Sequence, residues 1–360
     1  MGRRRGSDAG RHRAIGPARG ALSRRPVIAR RPACAIAALP LGLACIAPAA
    51  AATQETAETA ETNDYRQLLA LDARIQSIGW RLVHANAPFC TATLPAIGLL
   101  LQDSHSWTDP AAMRAALGLT ADIAVGAVAA GSPAEQAGLQ ANQPVLELAG
   151  LAAGDFPTTE PGDYVRLTGL HDRIDNSLRQ HGAVSITVAA ADGPRALTIA
   201  GQPACASRFE LLTAGESARA EGARVLVTRS LVDAVPDDDE LAAAIAHELS
   251  HNLLRHPQKR TEEGTGWGKI RHNEREADRL SVWLLANAGF DTEGAVRFQR
   301  DWMRHRDWGF LAPTHDAWDE RIEGIEQERA LIAAQSAQGT GPGGYDWSGR
   351  FPMSRETAKP

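Results

Sequence analysis

The residues best suited to chemistry lie in Asp239-Glu240-Leu241-Ala242-Ala243-Ala244-Ile245-Ala246-His247-Glu248-Leu249-Ser250-His251-Asn252-Leu253-Leu254. Helix formers fill this stretch, no Gly or Pro interrupts it, and Asp237 to Asp239 put negative charge where a helix start is positive. At about 100° per residue, His247 and His251 fall one turn apart on one face, where both imidazoles can reach one metal ion. Glu248 follows the first histidine, placed to take a proton from water at that metal. Leu241, Ala244, Ile245, Leu249 and Leu253 give the helix an apolar surface to bury. Metal-assisted hydrolysis is the chemistry implied. An ordinary amphipathic helix with two chance histidines is the competing reading.

Two imidazoles alone hold zinc poorly, so a third ligand is required. Asn273-Glu274-Arg275-Glu276-Ala277-Asp278-Arg279-Leu280, continuing through Val282, Leu284 and Leu285, has a second helical pattern. Glu274 and Asp278 are four apart and share a face. A carboxylate ligand followed by a supporting acid suits a two-His, one-Glu catalytic site whose fourth position stays open to water.

These residues resemble the zinc metallopeptidase family that includes HtpX, the CAAX prenyl endopeptidases and BepA, a gluzincin pattern of His-Glu-x-x-His followed by Glu-x-x-x-Asp. Ala223-Arg224-Val225-Leu226-Val227-Thr228-Arg229-Ser230-Leu231 resembles the strand before the family's active-site helix. Phe310-Leu311-Ala312-Pro313-Thr314-His315-Asp316, with Arg321 beyond it, resembles the family's Thr-His-Pro segment and its arginine, although Asp316 stands where proline is usual. The resemblance covers residues 207–335. It implies His247, His251 and Glu274 as ligands of one zinc ion and Glu248 as general base. It further implies that His315 stabilises the oxyanion or caps the site, with Asp278 and Arg321 in support.

The first 52 residues read as a leader. Ten arginines precede the short apolar run Ala35 to Ile46, and small residues continue to Ala52, the pattern of a secretory signal peptide. Cys45 raises lipoprotein anchoring, but Gly42 suits that signal poorly. Without the leader's ten arginines and one aspartate, the formal charge moves from −5 to about −14. Such an acidic chain argues against nucleic acid as a partner. No later run has the length of a membrane span. The expected setting is periplasmic or secreted, and the expected partners are unfolded or extended protein substrates. Cys90 and Cys205 are the cysteines left after processing, and in an exported chain they are expected to form a disulfide.

The fold class expected is α+β, a mainly helical zincin-type metallopeptidase domain with a small sheet and an inserted PDZ-like domain. Residues 53–119 form an N-terminal helical segment that packs on the protease. Within it 53–63 reads as a polar tether, and Leu68 to Leu82 recur with helical spacing. Residues 120–202 form the second unit. There Ile123 to Val128 lead into Gly131-Ser132-Pro133-Ala134 and Gly138-Leu139, with a helix at 164–180 and a hairpin turning at Asp192-Gly193, which together resemble a PDZ domain. Its groove would add an extended peptide as a strand, or would be filled by its own chain. Residues 203–337 form the protease, with an exposed substrate-pairing strand at Val225 to Val227 and a mobile loop at 258–268. The Gly/Pro-rich tail 338–360 reads as disordered. The functional expectation is a zinc-dependent endopeptidase in envelope protein quality control. The alternative is a PDZ-centred peptide-binding chaperone whose metal site is latent.

Overall fold

The structure, a computed structural model, describes residues 49–264, 266–303 and 318–351. Most of the expected leader and the segment 310–316, His315 included, lie outside the described residues.

Helix α1 (Ala49–Ala85) opens the described fold. The stretch 53–63 belongs to this helix rather than to a tether, because its Ala, Glu and Gln residues favour helix and none breaks it. Leu68, Ile75, Ile78 and Leu82 are buried. Gly79 lets strand and helix approach: a Cβ there would lie 2.3 Å from the Phe209 ring.

Strands β1 (Thr93–Ala96) and β2 (Leu99–Asp103) follow, then α2 (Pro110–Leu117), β3 (Ile123–Val128) and the single turn α3 (Pro133–Gln136). Next come β4 (Val145–Leu148), β5 (Leu151–Ala152), α4 (Val165–His181), β6 (Ala183–Ala190) and β7 (Gly193–Ala200). β2 pairs antiparallel with β3, and a second sheet runs in the order β5-β4-β6-β7. Ile97, Leu101, Val125, Leu148, Leu170, Ile174 and Val188 share a core of their own. The boundary expected at residue 120 therefore falls inside this unit, because β2 and Ile97 belong to it. Asn142 takes a left-handed conformation, with φ 67°, which its short polar side chain tolerates.

The open edge of β2 is covered by α4. Leu101 N–H donates to His171 Nε2 at 3.4 Å, and Asp103 forms a buried two-pronged ion pair with Arg166, whose Nε lies 2.6 Å from Oδ2. His171 is thus half-buried against β2. Burial, aided by the nearby Arg208 guanidinium, lowers its pKa to about 4, so it is neutral and free to accept.

β8 (Gln202–Cys205) pairs antiparallel with β1, from Thr93 opposite Cys205 to Ala96 opposite Gln202. Beside this pair Cys90 and Cys205 are joined as a disulfide, with Cα atoms 5.6 Å apart. β9 (Arg208–Leu212), β10 (Ala218–Ala220) and β11 (Arg224–Thr228) form a sheet in the order β10-β11-β9. This corrects the edge expected at Val225 to Val227. β11 is central, parallel to β9 and antiparallel to β10, and its unbroken apolar run is what a strand buried on both sides needs. The sheet edge beside the helix that carries His247 and His251 belongs to β10.

Helices complete the larger core: α5 (Arg229–Ala234), α6 (Asp238–Leu253), α7 (His256–Glu263), α8 (Trp267–Asn287), α9 (Glu293–Phe298) and α10 (Trp318–Ala337). α7 and the start of α8 take most of the segment that reads as a loop at 258–268. α1, β11, α6 and α8 meet in one core around Ile75, Val227, Ile245, Leu249 and Leu280. The architecture is α+β.

The tail departs most from expectation. Tyr345, Trp347 and Phe351 are buried, and Trp347 Nε1 donates to Asn86 Oδ1 at 2.8 Å. Asn287 accepts from Tyr345 N–H and donates to its carbonyl, so α1, α8 and the tail share one buried amide network. Trp347→Ala should cost about 3 kcal/mol in denaturant unfolding, since it opens a cavity and removes one of the two donors to the Asn86 carbonyl. A loss under about 0.5 kcal/mol would show that the tail is not held by this side chain.

A second prediction concerns Asp72 on α1. Burial raises its carboxyl to about 7, against the Leu211 N–H it accepts from and with help from the negative Glu210. The folded state therefore holds this proton more tightly than the unfolded chain does. The stability it contributes is full below about pH 4 and is lost as pH rises through about 7. Asp72→Asn should flatten the fall in melting temperature between pH 5 and 8, and identical slopes would refute the assignment.

Candidate metal centre

α6 begins at Asp237, whose side chain accepts from Glu240 N–H, and it is buried on most sides. That burial fixes its rotation and aims His247 and His251 at α8. Their Nε2 atoms are 3.1 Å apart. From α8, Glu274 spans the pair, with Oε2 3.3 Å from His247 Nε2 and Oε1 3.5 Å from His251 Nε2. These are the three side chains that the sequence pattern names as ligands.

The donor set fits a small divalent cation. A tetrahedral zinc ion with bonds of about 2.0–2.1 Å needs ligand atoms about 3.3 Å apart, which is the spacing here. Among the described residues, no other trio of His, Cys, Asp or Glu comes together in this way. Without a cation the cluster keeps a proton instead. Burial would lower His247, but Asp278 and Glu274 outweigh it and lift the imidazole to about 10. Burial and the neighbouring His247 push His251 down to about 3. Glu274 is driven well below the usual carboxylate range, since its contacts with the two histidines and Arg321 overcome burial.

Asp278 supports the cluster from behind. Its Oδ1 lies 3.0 Å from His247 Nδ1, a contact without the alignment of a full hydrogen bond. Arg321 on α10 grips the same carboxylate with both prongs, at 2.6 and 2.7 Å, and both side chains are almost fully buried. Gln299 adds a third donor at 3.0 Å from a π-helical turn, Gln299–Met303. Nothing in the sequence pattern points to Gln299. Such turns occur often at functional sites, but no local signal announces one.

Glu248 lies close to His247 and Glu274, beside β10. Its carboxylate accepts from the Ala220 N–H, while burial raises its pKa and the proton on His247 opposes that rise. A carboxylate next to the cluster is placed to take and return a proton.

A helix-borne histidine pair, a carboxylate from the next helix and an adjacent glutamate form an arrangement able to hold a metal ion and to serve metal-assisted hydrolysis. Residues 217–267 match the sequence profile of Peptidase family M48. That match takes in β10, β11 and the His247–His251 pair but ends before Glu274, and it supports an M48 metallopeptidase, hence a protease. M48 enzymes are zinc-dependent as a rule. No curated protein matches the chain.

Proposed function

We propose that this protein is an exported zinc endopeptidase of the HtpX and BepA type that cleaves unfolded or extended protein substrates in the cell envelope. The observation that carries the reading is the convergence of His247, His251 and Glu274, with Glu248 close beside them. His247, His251 and Glu274 would hold the ion. When bound, zinc supplies Lewis-acid activation of a carbonyl and of water.

The rest falls to this chain's own groups. An extended substrate pairs with the outer edge of β10, which lies against the catalytic helix. Glu248 accepts the proton of the attacking water and returns it to the leaving amine. Asp278, clamped by Arg321 and Gln299, keeps His247 in place. His315, proposed from the resemblance alone, would meet the developing oxyanion. A disulfide at Cys90–Cys205 accords with an oxidising compartment, and no helix among the described residues is long and apolar enough to cross a membrane.

The unit around β2 and α4 is proposed as a PDZ-like module. With α4 sealing the edge of β2, a spacer or regulatory role fits it better than a peptide clamp. Zinc content and casein cleavage, with and without a chelator, test the whole reading. The expected result is one zinc per chain and cleavage that stops on chelation and returns with zinc. A chain that holds zinc and unfolded casein but cuts nothing would favour the binding module, and one that holds no zinc would end the proposal.

A further inference from the structure

His256 is a buried histidine that the scheme above leaves unused. It is 1% exposed and opens α7. α6 stops at Leu253, and Arg255 then adopts φ 60° and ψ 32°, a left-handed conformation that strains a non-glycine residue. The strained turn brings His256 back to face the residue five places before it. His256 Nδ1 lies 2.8 Å from His251 Nδ1. On its far side His256 Nε2 lies 3.4 Å from Glu276 Oε2, an electrostatic contact rather than an aligned hydrogen bond.

One condition fixes every proton in this row. His251 Nε2 faces His247 and Glu274, so ligation there needs its lone pair and places the ring proton on Nδ1. That N–H can donate only if His256 Nδ1 is bare. His256 must then carry its own proton on Nε2, where Glu276 waits to receive it. The opposite arrangement would put a proton on His251 Nε2 and block the ligand. Each contact thus has one donor and one acceptor in the ligating state.

We propose that His256, oriented by Glu276, is a positioning residue that sets the tautomer and ring angle of the metal ligand His251. The inference rests on the metal-site reading above. It gives the strain at Arg255 a purpose, because a relaxed helix end would carry His256 away from His251.

The test is zinc affinity of the full chain, measured by competition with a chromophoric chelator. His256→Asn, His256→Leu and Glu276→Leu are compared with the natural sequence. Thermal unfolding of the metal-free forms is measured alongside. The Asn carbonyl can accept where Nδ1 did, so His256→Asn should stay within a few-fold of the natural affinity. His256→Leu removes the acceptor and should weaken zinc by about 10–100-fold. Glu276→Leu frees the His256 proton to move to Nδ1, against another N–H, and should weaken zinc about tenfold. Glu276 is partly exposed, so that variant reports even if His256→Leu fails to fold. Natural affinity in both leucine variants, whenever they fold, would overturn this inference and leave the metal site standing. A natural chain that takes up no zinc would overturn both.

Discussion

Glu248→Gln should lower peptide cleavage by about 10³-fold or more while zinc stoichiometry stays unchanged. The two effects separate because Glu248 contributes no atom to the ligand trio. Glutamine keeps the shape of the side chain and a carbonyl for the Ala220 N–H, so the fold and the β10 edge should be preserved. What it lacks is a basic oxygen for the proton of the attacking water. Casein cleavage and metal content measured on the same preparation decide the matter. Cleavage at the natural rate with zinc in place would mean that another group accepts the proton, and the assignment of the general base would fall.

The second large effect is expected at Arg321. Arg321→Met removes the two-pronged partner of Asp278 and leaves a carboxylate about 3% exposed with only Gln299 and His247 beside it. Breaking a buried pair from one side costs about 3–5 kcal/mol, because the remaining charge has neither water nor its cation. Chemical denaturation should show that loss. Zinc affinity should fall with it, since Asp278 no longer holds His247 from a fixed direction. The double variant Asp278→Asn with Arg321→Met should recover part of the stability, both charges having gone. A single-variant cost below about 1 kcal/mol would show that the pair is solvated in solution and supports nothing.

The parts of this site that lie on a helical repeat were open to sequence reasoning. His247 with His251, and Glu274 with Asp278, are each one turn apart on helices that form where the pattern places them. Arg321 was reachable only through resemblance, because α10 docks on α8 from far along the chain. Gln299 and His256 depend on backbone irregularities, a π turn and a left-handed arginine, which no residue type betrays. β10 is three residues long with no alternation to read, so the pattern places the sheet edge at its neighbour. In the tail, glycine and proline outweighed a better signal. Tyr345, Trp347 and Phe351 lie within seven residues, a density of aromatic side chains that a solvated tail rarely carries.

The pairing of β1 with β8 carries one more consequence. Ala96 and Gln202 sit opposite each other, and just outside them a covalent bridge ties Cys90 to Cys205. The chain from 97 to 201 therefore leaves and returns through two adjacent points, as through a closed clasp. A genetic splice that replaced those residues with a tight turn would convert the clasp into a plain hairpin and leave the half that carries His247 and His251 its covalent tie.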